Sequence, residues 1–180
     1  MKSRNALIVI IALLSIVAVL CGGAIAYMYN QTEYVENDFV APRVSCLVEE
    51  KKTDDAKQEI TVKNTGNIQA YLRVRLVSNW SESDGAGGYN TIGIPSEMPA
   101  FTLGEDWIKG SDDTYYYRLP VAPNASTKDL LGSDMTLTEK QGYLQVVDVF
   151  AEAIQSLPEE AVTTSWKVTL DDDGNIATVQ

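Results

Sequence analysis

The 180-residue chain contains no histidine and only two cysteines. Histidine is the commonest general base and the commonest protein metal ligand, so its absence excludes large classes of enzyme. A Ser-His-Asp triad, a Cys-His pair and an HExxH zinc site all require it. The chain also has only 14 basic residues against 25 acidic ones, and its net charge of −11 disfavours contact with nucleic acid and anionic lipid headgroups.

The N-terminus has the three parts of a secretory signal peptide. Lys2 and Arg4 form a basic region, and residues 6–20 form a run of apolar or small residues. Ala24 and Ala26 then form a small-x-small cleavage site. The sequence therefore predicts a hydrophobic signal helix and export, with the protein secreted to the extracellular matrix or the cell surface.

Cleavage at this site makes residues 1–26 the signal peptide and Tyr27 the first residue of the secreted chain. The alternatives are an uncleaved anchor over residues 6–29, since a span needs about 20 apolar residues, and lipidation at Cys21. Cleavage would remove two basic residues and no acidic one, which gives a charge of −13. It would also leave Cys46 as the single cysteine, so an intramolecular disulfide would be excluded.

Most of the remaining chain shows a pattern of strands and turns. The clearest strand is "AYLRVRLVSNW", where Leu72, Val74 and Leu76 alternate with charged residues. The segment "YLQVVDVFAEAIQ" fits a strand by its β-branched residues and a helix by its "AEAIQ" end. Other strand candidates are 44–50, in which Cys46 fits a small buried hydrophobe, 57–67, which ends in a turn cluster at 64–67, and 165–170 as the last strand. Residues 106–120 fit a hairpin that turns at 110–113. A Ser/Gly-rich loop is predicted over 81–90, and Pro95 and Pro99 interrupt the stretch after it.

Seven or eight short strands, with no convincing amphipathic helix after the leader, predict an all-β sandwich over residues 43–180. Residues 27–42 precede it as an extended arm or linker. The predicted core consists of apolar residues from three strands: Leu72, Val74, Leu76, Val147, Val149 and Trp166.

Two short motifs outside this pattern are candidate sites. "DDDGN" offers Asp171, Asp173 and Asn175 as oxygen ligands for a divalent cation, but it lacks the distant Glu of an EF-hand loop. A polar surface turn is the alternative. The run Tyr115–Tyr117 predicts core packing with one exposed aromatic residue, or else a subunit contact or a glycan platform. We expect no cofactor and no catalytic residues.

Several motifs together resemble the TasA and camelysin group of exported Gram-positive proteins. The leader end "GGAIAYMYN" is similar to leaders cut by a SipW-type signal peptidase, and "VENDF" follows it. "VKNTGNIQAYLRVRLVSNW" and "DDTYYYRLPVAPNASTKDLL" resemble the strand pair and the tyrosine-run segment of that group, with Asn124 where Gly is usual. "AEAIQ" and the late Trp166 complete the order.

The resemblance implies a jelly-roll sandwich, export and assembly into fibres, a biofilm matrix or a surface layer. One branch, camelysin, carries a metalloprotease label. A catalytic zinc takes three protein ligands, usually including His, and this chain has no histidine. The competing function is a monomeric surface module that binds a glycan or a protein partner.

The segment 27–40 is unusually apolar for a free tail, which is normally polar. It includes Tyr29, Tyr34 and Phe39 and has few turn signals. We expect it to be an assembly arm that adds a strand to an open sheet edge of a neighbouring subunit. The partners are then other copies of this chain and other matrix proteins, with membrane contact only through the uncleaved leader. The alternative is a spacer that holds the domain off the membrane.

Overall fold

The computed structural model describes residues 8, 10–21, 40–53, 55–84 and 88–180. The chain divides into two compact units, residues 1–40 and Ala41–Gln180. In the first unit, residues 10–21 form helix α1, which lies within the predicted leader. Among the described residues, no helix has the length and apolar character that crossing a membrane requires.

The second unit is mostly β and contains three antiparallel sheets. The first sheet has three strands in the order β1-β2-β7, and the second has the order β5-β6-β3-β9-β8, with β4 also paired to β3. A hairpin of β10 and β11 is the third. The strands are β1 Cys46–Lys52, β2 Ala56–Asn64, β3 Ala70–Ser83, β4 Tyr89–Pro95, β5 Trp107–Lys109, β6 Thr114–Tyr117, β7 Met135–Thr136, β8 Glu139–Lys140, β9 Tyr143–Gln155, β10 Val168–Leu170 and β11 Ile176–Val179.

Strand β3 is the centre of the larger sheet. It pairs with β9 over thirteen positions, from Ala70↔Gln155 to Glu82↔Tyr143. Its other edge pairs with β6 and, further along, with β4. The segment 143–155, which fitted both a strand and a helix by its sequence, is therefore a strand along its whole length. Pairing to β3 satisfies its backbone hydrogen bonds and outweighs the helix preference of its "AEAIQ" end.

The main hydrophobic core draws residues from both larger sheets. Ile60 and Val62 of β2 pack in the same cluster as Leu72, Val74 and Leu76 of β3, and Val147 of β9 also joins it. The predicted core is confirmed at these last four positions. Val149 is only half-buried and packs against the rim of the cluster, so its full burial was predicted wrongly.

A second, smaller cluster lies on the opposite face of the larger sheet. Tyr71 and Tyr116 point to this face and pack with Trp166, Val168 and Ile176. Trp166 is buried as predicted, but it closes a short helix, α2 Glu160–Trp166, and does not belong to a strand. The segment shows no helical stripe because seven residues make only two turns.

The end of the chain also differs from the prediction. Lys167 adopts a left-handed conformation that ends α2, so the strand begins at Val168, and a further strand, β11, follows. Strand β4 was also missed, because Pro95 and the glycines nearby indicated a loop.

The predicted turn after β2 is confirmed: Asn64 Oδ1 accepts a hydrogen bond from the Gly66 N–H at 2.9 Å. A Cβ on Gly66 would lie 2.3 Å from the Arg43 carbonyl oxygen, which explains the glycine.

Candidate functional site

The outer edge of β9 is open along most of the strand. On that side β9 pairs only with β8, at Tyr143 and Leu144, and the Gln145 N–H donates to the Thr138 carbonyl at 2.9 Å. No strand of the described chain pairs with it beyond that point. Beyond Gln145 these backbone donors and acceptors therefore have no strand partner within the described chain, and β1 lies close beside part of β9.

The direction of the backbone bonds identifies which residues of β9 are open. The Ser156 N–H donates to the Gln69 carbonyl, so even-numbered residues face β3 in this antiparallel pair. The N–H and C=O groups of the odd-numbered residues then point away from β3. They belong to Val147, Val149, Ala151 and Ala153.

Strand β1 presents a second open edge beside the first. It pairs with β2 alone, and the Thr65 N–H donates to the Ser45 carbonyl, so odd-numbered residues face β2. The N–H and C=O groups of Cys46, Val48 and Glu50 point the other way. Burial, together with the negative charge of Glu152, raises the pKa of the Cys46 thiol. The first residue of β1 therefore lies close enough to Glu152, near the end of β9, for their charges to interact.

A groove of about 390 Å³ separates the two edges at their other ends. One wall is mainly apolar and is formed by Leu144, Val146 and Phe150 of β9. The other wall is charged and comes from β1 and β2, with Glu50, Lys52 and Lys57. The two strands run in opposite directions along the groove, since Cys46 lies near Glu152 and Lys52 lies near the start of β9.

Lys57 is the unusual residue of this groove, because it is only 5% exposed. Its Nζ donates a hydrogen bond to Glu50 Oε2 at 2.7 Å. Buried ammonium groups are rare unless they are paired, so the ion pair accounts for the charge at this depth. The sequence pattern did not indicate Lys57 as a site residue, since a lysine at the start of an alternating strand is typical of a solvated position.

The aromatic run does not form an exposed platform. Tyr115, Tyr116 and Tyr117 are all buried, so the predicted exposed aromatic residue is absent from this run. Tyr115 and Tyr117 belong to the main core, whereas Tyr116 faces the second cluster. There the Arg73 guanidinium lies 4.7 Å from the centre of the Trp166 ring, and its Nε and Nη2 donate to Glu152 Oε2 at 2.9 and 2.6 Å.

The "DDDGN" segment is the turn between β10 and β11. Asp171 Oδ1 accepts hydrogen bonds from the backbone N–H groups of Asp173 and Asn175, at 3.1 and 2.8 Å. These bonds lower the pKa of the Asp171 carboxyl group, the bond from Asn175 most of all. The carboxylate thus organises its own turn, and the described residues contain no group of three or more metal-ligating side chains.

Several predicted residues lie outside the described part of the chain. They are the cleavage-site residues Ala24, Ala26 and Tyr27 and the arm residues Tyr29, Tyr34 and Phe39. Cys46, predicted to be buried, is half-buried and packs against the main core. Its raised pKa keeps the thiol protonated at neutral pH, which argues against a nucleophilic role.

Comparison of the chain with protein-family models, with curated proteins and with solved structures finds no match in any of the three.

Proposed function

We propose that this chain is the exported structural subunit of an extracellular fibre, biofilm matrix or surface layer. Subunits join head to tail when an extended segment of one copy adds a strand to the next. The observation that carries this proposal is the pair of open edges, on β1 and β9, that flank one groove.

Addition of a strand would satisfy the unpaired backbone N–H and C=O groups of these edges. An incoming strand would pair its backbone with the outward N–H and C=O groups of β9, and its side chains would alternate between the groove and solvent. Proteins usually protect an open edge with charge, and here Lys51 and Lys52 do so at one end of β1. The stretch of β9 from Val149 to Ala153 has a single charge, Glu152, which is held by Arg73.

The proposed incoming strand is the arm, residues 27–42. A head-to-tail contact of this kind does not close on itself, so it propagates as a filament. The leader, residues 1–26, would hold the arm at the membrane until cleavage, so that assembly begins outside the cell. No nucleic acid, cofactor or catalytic residue has a part in this function.

For the fold, we propose a β-sandwich of the jelly-roll type. The support is the shared core, in which residues of β2 and β3 pack in one cluster. The motifs that resemble the TasA and camelysin group favour the same fold and the same kind of assembly. Export also agrees with the acidic composition, which keeps a secreted protein soluble.

Two versions of the secreted protein test the proposal. One begins at Tyr27 and the other at Ala41, the first residue of the second compact unit. Both should be folded by circular dichroism, and electron microscopy should show filaments only for the longer version. Equal polymerisation of the shorter version would reduce the arm to a spacer and contradict the mechanism. N-terminal sequencing of the secreted protein should give Tyr27.

A binding module is the second candidate function, and a different surface favours it. Trp80, Ile94 and Tyr143 line a pocket of about 210 Å³, with Lys140 and Gln141 also contributing. Aromatic faces beside hydrogen-bonding groups suit a neutral sugar ring. Titration with soluble neutral oligosaccharides tests this function. Trp80→Ala should abolish any binding without affecting filaments.

A further inference from the structure

The buried ammonium group of Lys57 has unused hydrogen-bonding capacity. A lysine ammonium has three donors, and Lys57 Nζ uses one, on Glu50 Oε2. Within the part of the chain that the structure describes, it donates no other hydrogen bond. Since Lys57 is 5% exposed and lines the groove, the groove gives an incoming acceptor access to its remaining donors.

We propose that Lys57 sets the register of the incoming strand by binding a carboxylate on that strand's inward face. This inference rests on the function proposed above and assigns the residue that makes the added strand specific. A carboxylate would give the largely buried ammonium a second acceptor, and a hydrogen bond between two charged groups is stronger than one between neutral groups.

The occupant that fits is residues 33–39 of a second copy, Glu-Tyr-Val-Glu-Asn-Asp-Phe. In an extended strand, Glu33, Val35, Asn37 and Phe39 share one face, and Tyr34, Glu36 and Asp38 share the other. The first face carries one acid, one amide and the apolar residues Val35 and Phe39. The second face carries two acids and suits solvent.

The groove has the same order of properties along its length. Lys57 lies at the end where β9 begins, and Val147 and Val149 follow along β9. Val147 and Val149 are two residues apart on β9, the spacing of Glu33 and Val35 on the arm. With Glu33 at Lys57, Val35 would lie beside Val149 on the groove side. The added strand then runs parallel to β9 and antiparallel to β1.

A double-mutant cycle tests this contact. Fluorescently labelled peptides of residues 27–40 are titrated with the full chain, below the concentration at which filaments form. The natural peptide is compared with Glu33→Gln and with the matched control Glu36→Gln. We expect Glu33→Gln to weaken binding about tenfold and Glu36→Gln to change it less than about twofold. On Lys57→Met protein, the natural and Glu33→Gln peptides should bind equally.

Each result has a distinct meaning. If the natural peptide binds and Glu33→Gln binds equally well, this inference is wrong and the proposed function stands. If Glu36→Gln is the weakened peptide, the opposite face enters the groove, and the assignment of Glu33 is wrong. Failure of the natural peptide to bind at all would overturn both. If Lys57→Met loses the circular dichroism signal of the folded protein, Lys57→Gln takes its place. The peptide series on the unchanged protein still tests whether Glu33 contributes to binding.

Discussion

The two longest strands of the molecule, β3 and β9, are paired with each other and yet differ in their second edges. The outer edge of β3 is bonded to β6, to β4 and, at Ala70, to Val121. The outer edge of β9 is bonded only near its start. Both strands contribute to the main core, so burial does not explain the difference. The comparison shows that the fold seals one side of its larger sheet and leaves the other open, and the open side is the candidate site.

Proline substitutions on the two edges of β9 should give the largest difference in stability. Phe150 has an exposed side chain, but its N–H points to β3, so Phe150→Pro removes a ladder bond and should cost about 2–4 kcal/mol of unfolding free energy. Ala151 has its N–H on the open edge, so Ala151→Pro should cost less than about 1 kcal/mol. Urea unfolding measures both. The Ala151 variant should nevertheless form no filaments, and filament growth at the natural rate would contradict strand addition at this edge.

Truncation of core residues compares the interiors of the two strands. Leu72 of β3 is fully buried, and Leu72→Ala should destabilise the protein by about 2–5 kcal/mol. Val149 of β9 is half-buried at the groove, and Val149→Ala should cost about 0.5–1.5 kcal/mol. Denaturant unfolding gives both values. Equal costs would show that the groove side is as tightly packed as the sealed side.

The smallest expected effect concerns the turn on the sealed side. Burial acts to raise the pKa of the Asp112 carboxyl group, but hydrogen bonds from the Thr114 hydroxyl and N–H and from the Tyr116 hydroxyl outweigh it, and the pKa is lowered. A depressed pKa in the folded state means that this stabilisation is present above the unfolded value of 3.8 and is lost as pH falls through the folded value.

Asp112→Asn should therefore be less stable than the natural protein at pH 6, and the difference should shrink as the pH approaches about 3. Thermal unfolding across this range measures it. Asp173→Asn is a matched control in another exposed turn, because Asp173 takes part there through its backbone N–H. A pH-independent difference would indicate that Asp112 acts through shape alone.

The sequence by itself determined the local elements wherever one physical signal was dominant. Alternation at Leu72, Val74 and Leu76 predicted β3 and its buried face, and the Asn64–Gly66 turn followed from its turn residues. Side-chain alternation is a local property, because successive residues of a strand point to opposite faces. Composition alone likewise led to the prediction that the chain is not one of the enzymes that depend on histidine.

Only the tertiary structure decided which edges have partners and which polar groups are buried. Nothing near Lys57 in the sequence predicts its burial, since Glu50 and the walls of the groove come from other strands. The face that Tyr116 occupies depended on a helix too short to predict, and the open edge of β9 depended on where β1 and β8 end. Strand pairing and burial join residues far apart in the chain, so a local pattern can show that a strand forms but not which strand will lie beside it.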